Sequence, residues 1–343
     1  MAGRGRWDVY RQHQINRIFR AARHWTGLAI LVGAFSSDQQ TRIFVANDGR
    51  ANFYFTPDSS TTANQDSSFT YTENAIISGT AFDRNGRAQA SMGIATADFN
   101  GDLKNDFLIT NFVSESNALY IQVENEHYVD QSQAFGVYES SLQTLGFGAQ
   151  AIDADLDGWP DVMIANGHIN SHPIDAPEQR MLPSFYRNIC GTTFKQLDGS
   201  ILGAYFKRPS IGRSMAVIDW NRDGLPEVAI GQIGNKTTLL ENTSNTTCAW
   251  LNITLHGRTS SRNAVGSRVV LTTDLRKHLM LVTAGDGYQC SNQKQLRFGL
   301  QPTEKIQNLT VYWPNGKIQT FTGVNVNTRL VIREGDRQAF NCP

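Results

Sequence analysis

Three nine-residue stretches restrict this chain more than any other feature: "DFNGDLKND" from Asp98, "DADLDGWPD" from Asp153 and "DWNRDGLPE" from Asp219. Each puts carboxylate or amide side chains at positions 1, 3, 5 and 9, and each lies between two apolar runs, such as "FGAQAI" before and "VMIAN" after. Carboxylates packed that closely repel one another unless a cation sits among them, and hard oxygens at this spacing suit calcium. The loops begin 55 and 66 residues apart, a period that builds propellers or solenoids. A decayed copy lies upstream. Aligning "RIFVAND" with "DFLITNF" makes "AFSSDQQTR", residues 34–42, the counterpart loop, with Asp38 the sole surviving acid, and makes "GLAILVG" its incoming strand.

The twelfth positions exclude an EF-hand. They hold Ile109, Ile164, Ile230 and Val45 in place of a bidentate glutamate, and all four sit in short β-type runs, so each loop joins two strands. The candidate calcium ligands are Asp98, Asn100, Asp102 and Asp106 in the first loop. The second offers Asp153, Asp155, Asp157 and Asp161 with the Trp159 carbonyl, and the third Asp219, Asn221, Asp223 and Glu227 with the Leu225 carbonyl. Up to three Ca2+ ions are expected. Gly158 and Gly224 supply the turn, whereas Leu103 stands at that position in the first loop and should strain it. An ion-free Asx turn accounts for any one loop; three in register weigh against it.

The remainder of the chain narrows the class. With 31 basic and 31 acidic residues among 343, nothing in the net charge points to nucleic acid. Short apolar runs broken by Asn, Asp, Gly and Ser give an all-β texture, and no run approaches the ~20 apolar residues of a membrane span. Residues 1–25 form an arginine-rich leader; the run "WTGLAILVGAF" imitates a secretion signal but is absorbed by the decayed repeat. Cys190, Cys248, Cys290 and Cys342 are far apart, without a CxxC pair, and leave disulfide pairing open.

From Trp250 the acidic loops stop. "WLNITLHG" alternates at period two, "SRVVLTT" and "HLMLVTAG" follow as strands, and "NLTVYWPNGKIQTF" is a hairpin turning at Asn315-Gly316.

The pattern D-x-[DN]-x-D-G-x-x-[DE] between short strands, with "AN" and lines such as "ALY" and "NFYF" after it, resembles the FG-GAP/VCBS repeat of integrin-type β-propellers, and "ANGHINSH" at 165–172 resembles an "NGH" stretch of those repeats. The series "WLNITLHGRTSSRNAVGSRV", "GDGYQCSNQ", "LRFGL" and "VYWPNGKIQTF" resembles the ASPIC/UnbV domain, which follows such repeats in cartilage acidic protein-like families, bacterial ones included. The resemblance implies an all-β chain: a leader at 1–25, a propeller-like array of about four units over 26–246, an ASPIC/UnbV β-domain over 247–335 and a tail at 336–343. It further implies an extracellular or cell-surface protein in which calcium is structural and the partner is another extracellular protein or a polysaccharide. Two departures stand out: Cys290 occupies a position where serine is usual, and four units are few for a propeller that commonly has seven. A partly open array with edges available for self-association is the expectation.

Candidate chemistry is sparse. His168 and His172 have the spacing of a zinc pair on a helix, but they sit in a loop before Pro173. Ser291 and Lys294 form an SxxK without its companion motifs. Sequons begin at Asn242, Asn245, Asn252 and Asn308, and Trp159, Trp220 and Trp313 are expected in core or turn packing. No catalytic motif emerges. The rival reading is a carbohydrate-active enzyme with its site in the propeller cleft.

Overall fold

The computed structural model describes residues 26–58, 70–169 and 179–342; the leader and His172 lie outside the described residues. Among the described residues the protein is nearly all-β, 43% strand and 5% helix, and no sheet closes on itself.

Four antiparallel meanders follow one another. The first contains β1 (Gly27–Gly33), β2 (Arg42–Asn47), β3 (Phe53–Pro57) and β4 (Tyr71–Glu73). The second contains β5 (Ile94–Ala97), β6 (Asp106–Ile109), β7 (Ala118–Glu124) and β8 (His127–Asp130), and the third β9 (Gly146–Ile152), β10 (Asp161–Asn166), β11 (Ser184–Ile189) and β12 (Thr193–Gln196). The fourth has three strands, β13 (Gly212–Ile218), β14 (Glu227–Gln232) and β15 (Thr238–Leu240). The run "GLAILVG" is β1, and each acidic loop joins the first two strands of its sheet.

Period-two alternation stacks these sheets face to face. In β6, Phe107 and Ile109 enter a core shared with the first sheet through Leu31, Phe44 and Tyr54, while Leu108 enters the next core with Val162, Ile164 and Tyr186 of the third. In β10, Met163 and Ala165 point the other way, to Met215, Val228 and Ile230 of the fourth sheet. Covered on both faces, β6 and β10 are buried at every residue, which is why they read as unbroken apolar runs.

The C-terminal domain is a two-sheet sandwich. One sheet orders β19 (Leu296–Leu300), β16 (Ala249–His256), β22 (Thr328–Arg333) and β23 (Phe340–Cys342); the other orders β18 (Lys277–Leu281), β17 (Arg268–Thr273), β20 (Ile306–Tyr312) and β21 (Ile318–Phe321). β16 and β22 run parallel, and the core holds Leu251, Ile253, Leu271, Phe298 and the fully buried Trp313. The segment assigned as a tail contributes β23, so this domain reaches residue 342.

One segment of this domain crosses the inner edges of all four meanders. Ala284 exchanges backbone hydrogen bonds with Val32 of β1, and Gly287 with Ile94 of β5. Asn292 donates to Gln150 of β9, the Cys290 thiol donates to the Met215 carbonyl of β13, and Gln293 pairs with Val217 and Asp219. The segment thus bridges β1 and β5 through paired backbone hydrogen bonds and reaches β9 and β13 chiefly through its side chains. No strand pairing joins the fourth sheet back to the first among the described residues. All four cysteines are free.

Candidate metal centres beneath the C-terminal domain

The three acidic loops share one backbone. Each takes the left-handed conformation at its fourth and sixth positions: Gly101 (φ 75°) and Leu103 (φ 66°), Leu156 (φ 61°) and Gly158 (φ 82°), Arg222 (φ 64°) and Gly224 (φ 94°). Leu103 thus pays the steric cost that glycine avoids in its two relatives. Side chains lock the path. The ninth-position carboxylates of Asp106, Asp161 and Glu227 each accept from the second-position N–H, that of Phe99, Ala154 or Trp220. The third- and fifth-position groups each accept an N–H two residues on, as Asp157 does from Trp159 at 2.9 Å.

The loops differ in what remains unsatisfied. Asp98 spends both oxygens on the N–H groups of Gly101, Asp102 and Leu103, and Lys104 pairs with Asp102 at 2.9 Å. In the second loop Asp153 gives one oxygen to Gly158 N–H and keeps Oδ1 buried with no partner. Oxygens of Asp153, Asp155 and Asp157 lie within 4.8 Å of one another. In the third, Asp219 Oδ1 is likewise buried and unpartnered, while Oδ2 accepts from Asn252 at 3.0 Å and Arg329 at 3.3 Å. Buried oxygens without partners are costly, and an all-oxygen donor set turned inward fits a hard divalent cation such as calcium. Burial and the neighbouring acids push Asp153 well up from the ordinary carboxylate range, with Asp161 raised for the same reasons; Asp98 is raised to about 6, chiefly by burial.

The decayed loop solves the same problem differently. Its ninth position is Arg42, whose side chain is 4% exposed and whose guanidinium forks onto Asp38 at 2.5 and 2.7 Å and pairs with Glu126. A covalently attached cation stands among the carboxylates. In the sequence this position is marked by a gained base, Arg42, rather than by a surviving acid.

All three acidic loops lie against the C-terminal domain, which the sequence did not reveal. Arg268 reaches the Leu103 carbonyl at 3.4 Å; Arg276 donates to the Asp157 carbonyl at 2.8 Å and stacks over the Trp159 ring at 4.2 Å; Gly224 packs on Trp250. Gly299 of β19 abuts Asp153 and Leu156, where a Cβ would collide with the Asp153 carboxylate. Burial lowers the pKa of the half-buried Arg297 guanidinium, against the opposing pull of Asp219, Glu227 and Asp153. A cavity of about 170 Å³ separates the two layers, lined in part by Asp98, Asp153, His278 and Arg297.

The other candidates have structural surroundings. His168 is buried, with its ring against Phe112 and its carbonyl held by Arg213. Lys294 donates to the Thr283 carbonyl. Asn252, fully buried on Asp219, is closed to glycosylation in the folded chain. Trp159 and Trp313 pack as expected, whereas Trp220 is 68% exposed.

Residues 257–339 match the family model described as "ASPIC and UnbV". The chain is 23% identical over 301 residues to mouse cartilage acidic protein 1, covering 87% of this chain and 43% of that protein. It is 25% identical over 302 residues to the Xenopus tropicalis protein of the same name (86% and 42%), and 24% identical over 299 residues to the human one (85% and 41%). The chain thus spans about two-fifths of the length of these relatives. Among the described residues, no helix is long and apolar enough to cross a membrane.

Proposed function

We propose that this chain is a calcium-braced scaffold of FG-GAP/VCBS type, working outside the cell in contacts with extracellular protein or polysaccharide, and that calcium fixes both the loops and the seat of the C-terminal ASPIC/UnbV domain. The observation that carries this reading is the pair of buried, unpartnered oxygens, Asp153 Oδ1 and Asp219 Oδ1, in two loops of one backbone. Similarity to proteins named for cartilage supports the compartment, and so does chemistry, because sites built on few carboxylates saturate at the millimolar calcium found outside cells. No residue is given a catalytic role in this reading.

Affinity should fall from loop 153–161 to loop 219–227 to loop 98–106, where no oxygen of Asp98 is spare. Each occupied site should add about 2.7 kcal/mol at a hundred times its dissociation constant, since the ion binds the folded loop and not the unfolded chain. Thermal melts across a calcium titration, with heats of binding measured in parallel, test this. Asp155→Ala should remove the tightest site and most of its calcium-dependent gain in Tm. A melt indifferent to calcium and chelator would reduce the loops to ordinary turns.

A further inference from the structure

A concavity of about 600 Å³ on the C-terminal domain, far in sequence from the acidic loops, is lined by His256, Gly257, Arg258, Ser260, Arg262 and Arg333. Two strands and one turn build it. His256 ends β16 and Arg333 ends β22, and they are register partners in the parallel pair. The turn at 257–262 closes through Gly257 N–H on the Arg262 carbonyl, and it needs glycine at 257 because a Cβ there would strike the Ser261 carbonyl oxygen.

Glu334 fixes this turn from beneath. Its side chain is 1% exposed, Oε2 accepts from the N–H groups of Arg258, Thr259 and Ser260 at 2.8, 2.9 and 2.8 Å, and Oε1 accepts from the Thr259 hydroxyl and the Asn315 amide. With the backbone donors turned inward onto one carboxylate, the arginine side chains are left on the solvent side of a rigid frame. Arg258 pairs with Asp336 at 2.9 Å, Arg333 lies over the Phe340 ring at 5.3 Å, and no carboxylate partner is recorded for Arg262 or Arg333 among the described residues. Two exposed guanidinium groups without a carboxylate partner therefore flank the concavity on a chain with no net charge, and their fork geometry suits oxyanions.

We propose that this concavity binds an anionic polysaccharide through its sulfate or carboxylate groups. Charge complementarity carries the choice: Arg258 and Lys317 are paired with Asp336 and Glu334, Arg262 and Arg333 have no carboxylate partner among the described residues, and planar guanidinium forks match sulfate and carboxylate groups in bidentate geometry. A neutral chain of pI ≈ 7.1 also lacks the basic field of a nucleic-acid binder. The site is independent of the calcium reading, because none of its residues touches an acidic loop.

The test measures binding of the full chain to immobilised heparin (sulfate and carboxylate), hyaluronate (carboxylate alone) and dextran (neutral), with a melt of every variant to establish folding. Heparin or hyaluronate should bind and dextran should not. Arg262→Ala and Arg333→Ala should each weaken binding about tenfold, the worth of one charge-assisted contact, and higher salt should weaken it further. The Arg50→Ala/Arg208→Ala pair, two exposed arginines elsewhere on the chain, should change it little. Equal binding to dextran, an Arg262→Ala/Arg333→Ala double variant that folds and binds as wild type, or no binding to either anionic glycan would overturn the proposal. Tighter binding to phosphatidylserine vesicles or to an oligothymidylate than to heparin would overturn the choice of partner. Repeating the heparin measurement in chelator separates the two readings, since loss of calcium sites leaves this surface in place.

Discussion

At the scale of single residues, this fold shows two ways to hold clustered carboxylates. Loop 34–42 carries a buried cation of its own in Arg42, whereas loops 98–106, 153–161 and 219–227 are paired only in part, with Lys104, Arg187 and Arg329, and leave the rest of the charge to be met from outside. Removing a buried partner exposes the others to uncompensated burial, so Arg42→Ala should cost about 2–3 kcal/mol, toward the lower end of buried pairs because Asp38 is partly exposed. That loss should be the same in calcium and in chelator, whereas the loss from Asp155→Ala should be larger in calcium, since in chelator it removes only a partly exposed pair with Arg187; melts in both buffers separate them. Glu304 gives a pH signature through a partner, His278, that lies against Gly158 of the second loop. Burial alone would raise it, but hydrogen bonds from His278 at 2.7 Å and Thr273 at 2.7 Å outweigh that and bring it from 4.5 down to about 2. A carboxylate depressed in the folded state adds stability that is present above 4.5 and lost as pH falls from there toward 2. The Tm gap between wild type and Glu304→Gln should be wide at pH 7 and close across that window; a gap constant with pH would show that the carboxylate's charge plays no part.

At the scale of elements, segment 284–293 organises the array by bridging inner strands whose edges would otherwise recruit other chains. Gly285 (φ 82°) and Gly287 (φ 81°) make the crossing possible, and a Cβ on Gly285 would collide with the Ile30 carbonyl oxygen. Gly285→Ala should therefore destabilise by about 1–3 kcal/mol and should speed hydrogen exchange at the Val32 amide, which donates to Ala284. Unchanged exchange there would mean that the edge is protected by something else. The strands themselves were legible in the sequence. "GLAILVG", "VMIAN" and "VAIGQ" read as strands because short β-branched runs between turn residues have few other fates, and the acidic loops read as strand connections because their twelfth positions are β-branched. The role of "GDGYQCSNQ" was not legible beyond a motif, since partners between 74 and 193 positions earlier leave no local period. Arg268 and Arg329 on strands and Arg276 in the turn between β17 and β18 were hidden for the same reason: a basic residue in a β-hairpin shows no sign of the loop it will meet.

At the scale of the molecule, the candidate metal loops and the domain interface are one surface, so the ions and the docking of the C-terminal domain should be linked. The join between the layers at the third loop is the most direct case. Asp219 receives Asn252 and Arg329 from the C-terminal domain on one oxygen and keeps the other buried without a partner. Arg329 supplies part of the charge compensation with or without an ion; an ion on Oδ1 would supply the remainder. Arg329→Ala should make docking depend on calcium. The connection at 241–248 has no strand or helix of its own, so release of the domain should expose it to proteinase K. Wild type should resist cleavage there in calcium and lose resistance modestly in chelator. Arg329→Ala should resist in calcium and be cut several-fold faster in chelator, because a buried carboxylate without either cation favours separation of the layers. X-ray scattering on the same samples should show a larger radius of gyration for the variant in chelator alone. Equal cleavage of the variant with and without calcium would disconnect the ions from docking, and would leave packing of Trp250 on Gly224 and of Gly299 on loop 153–161 as what holds the two layers together.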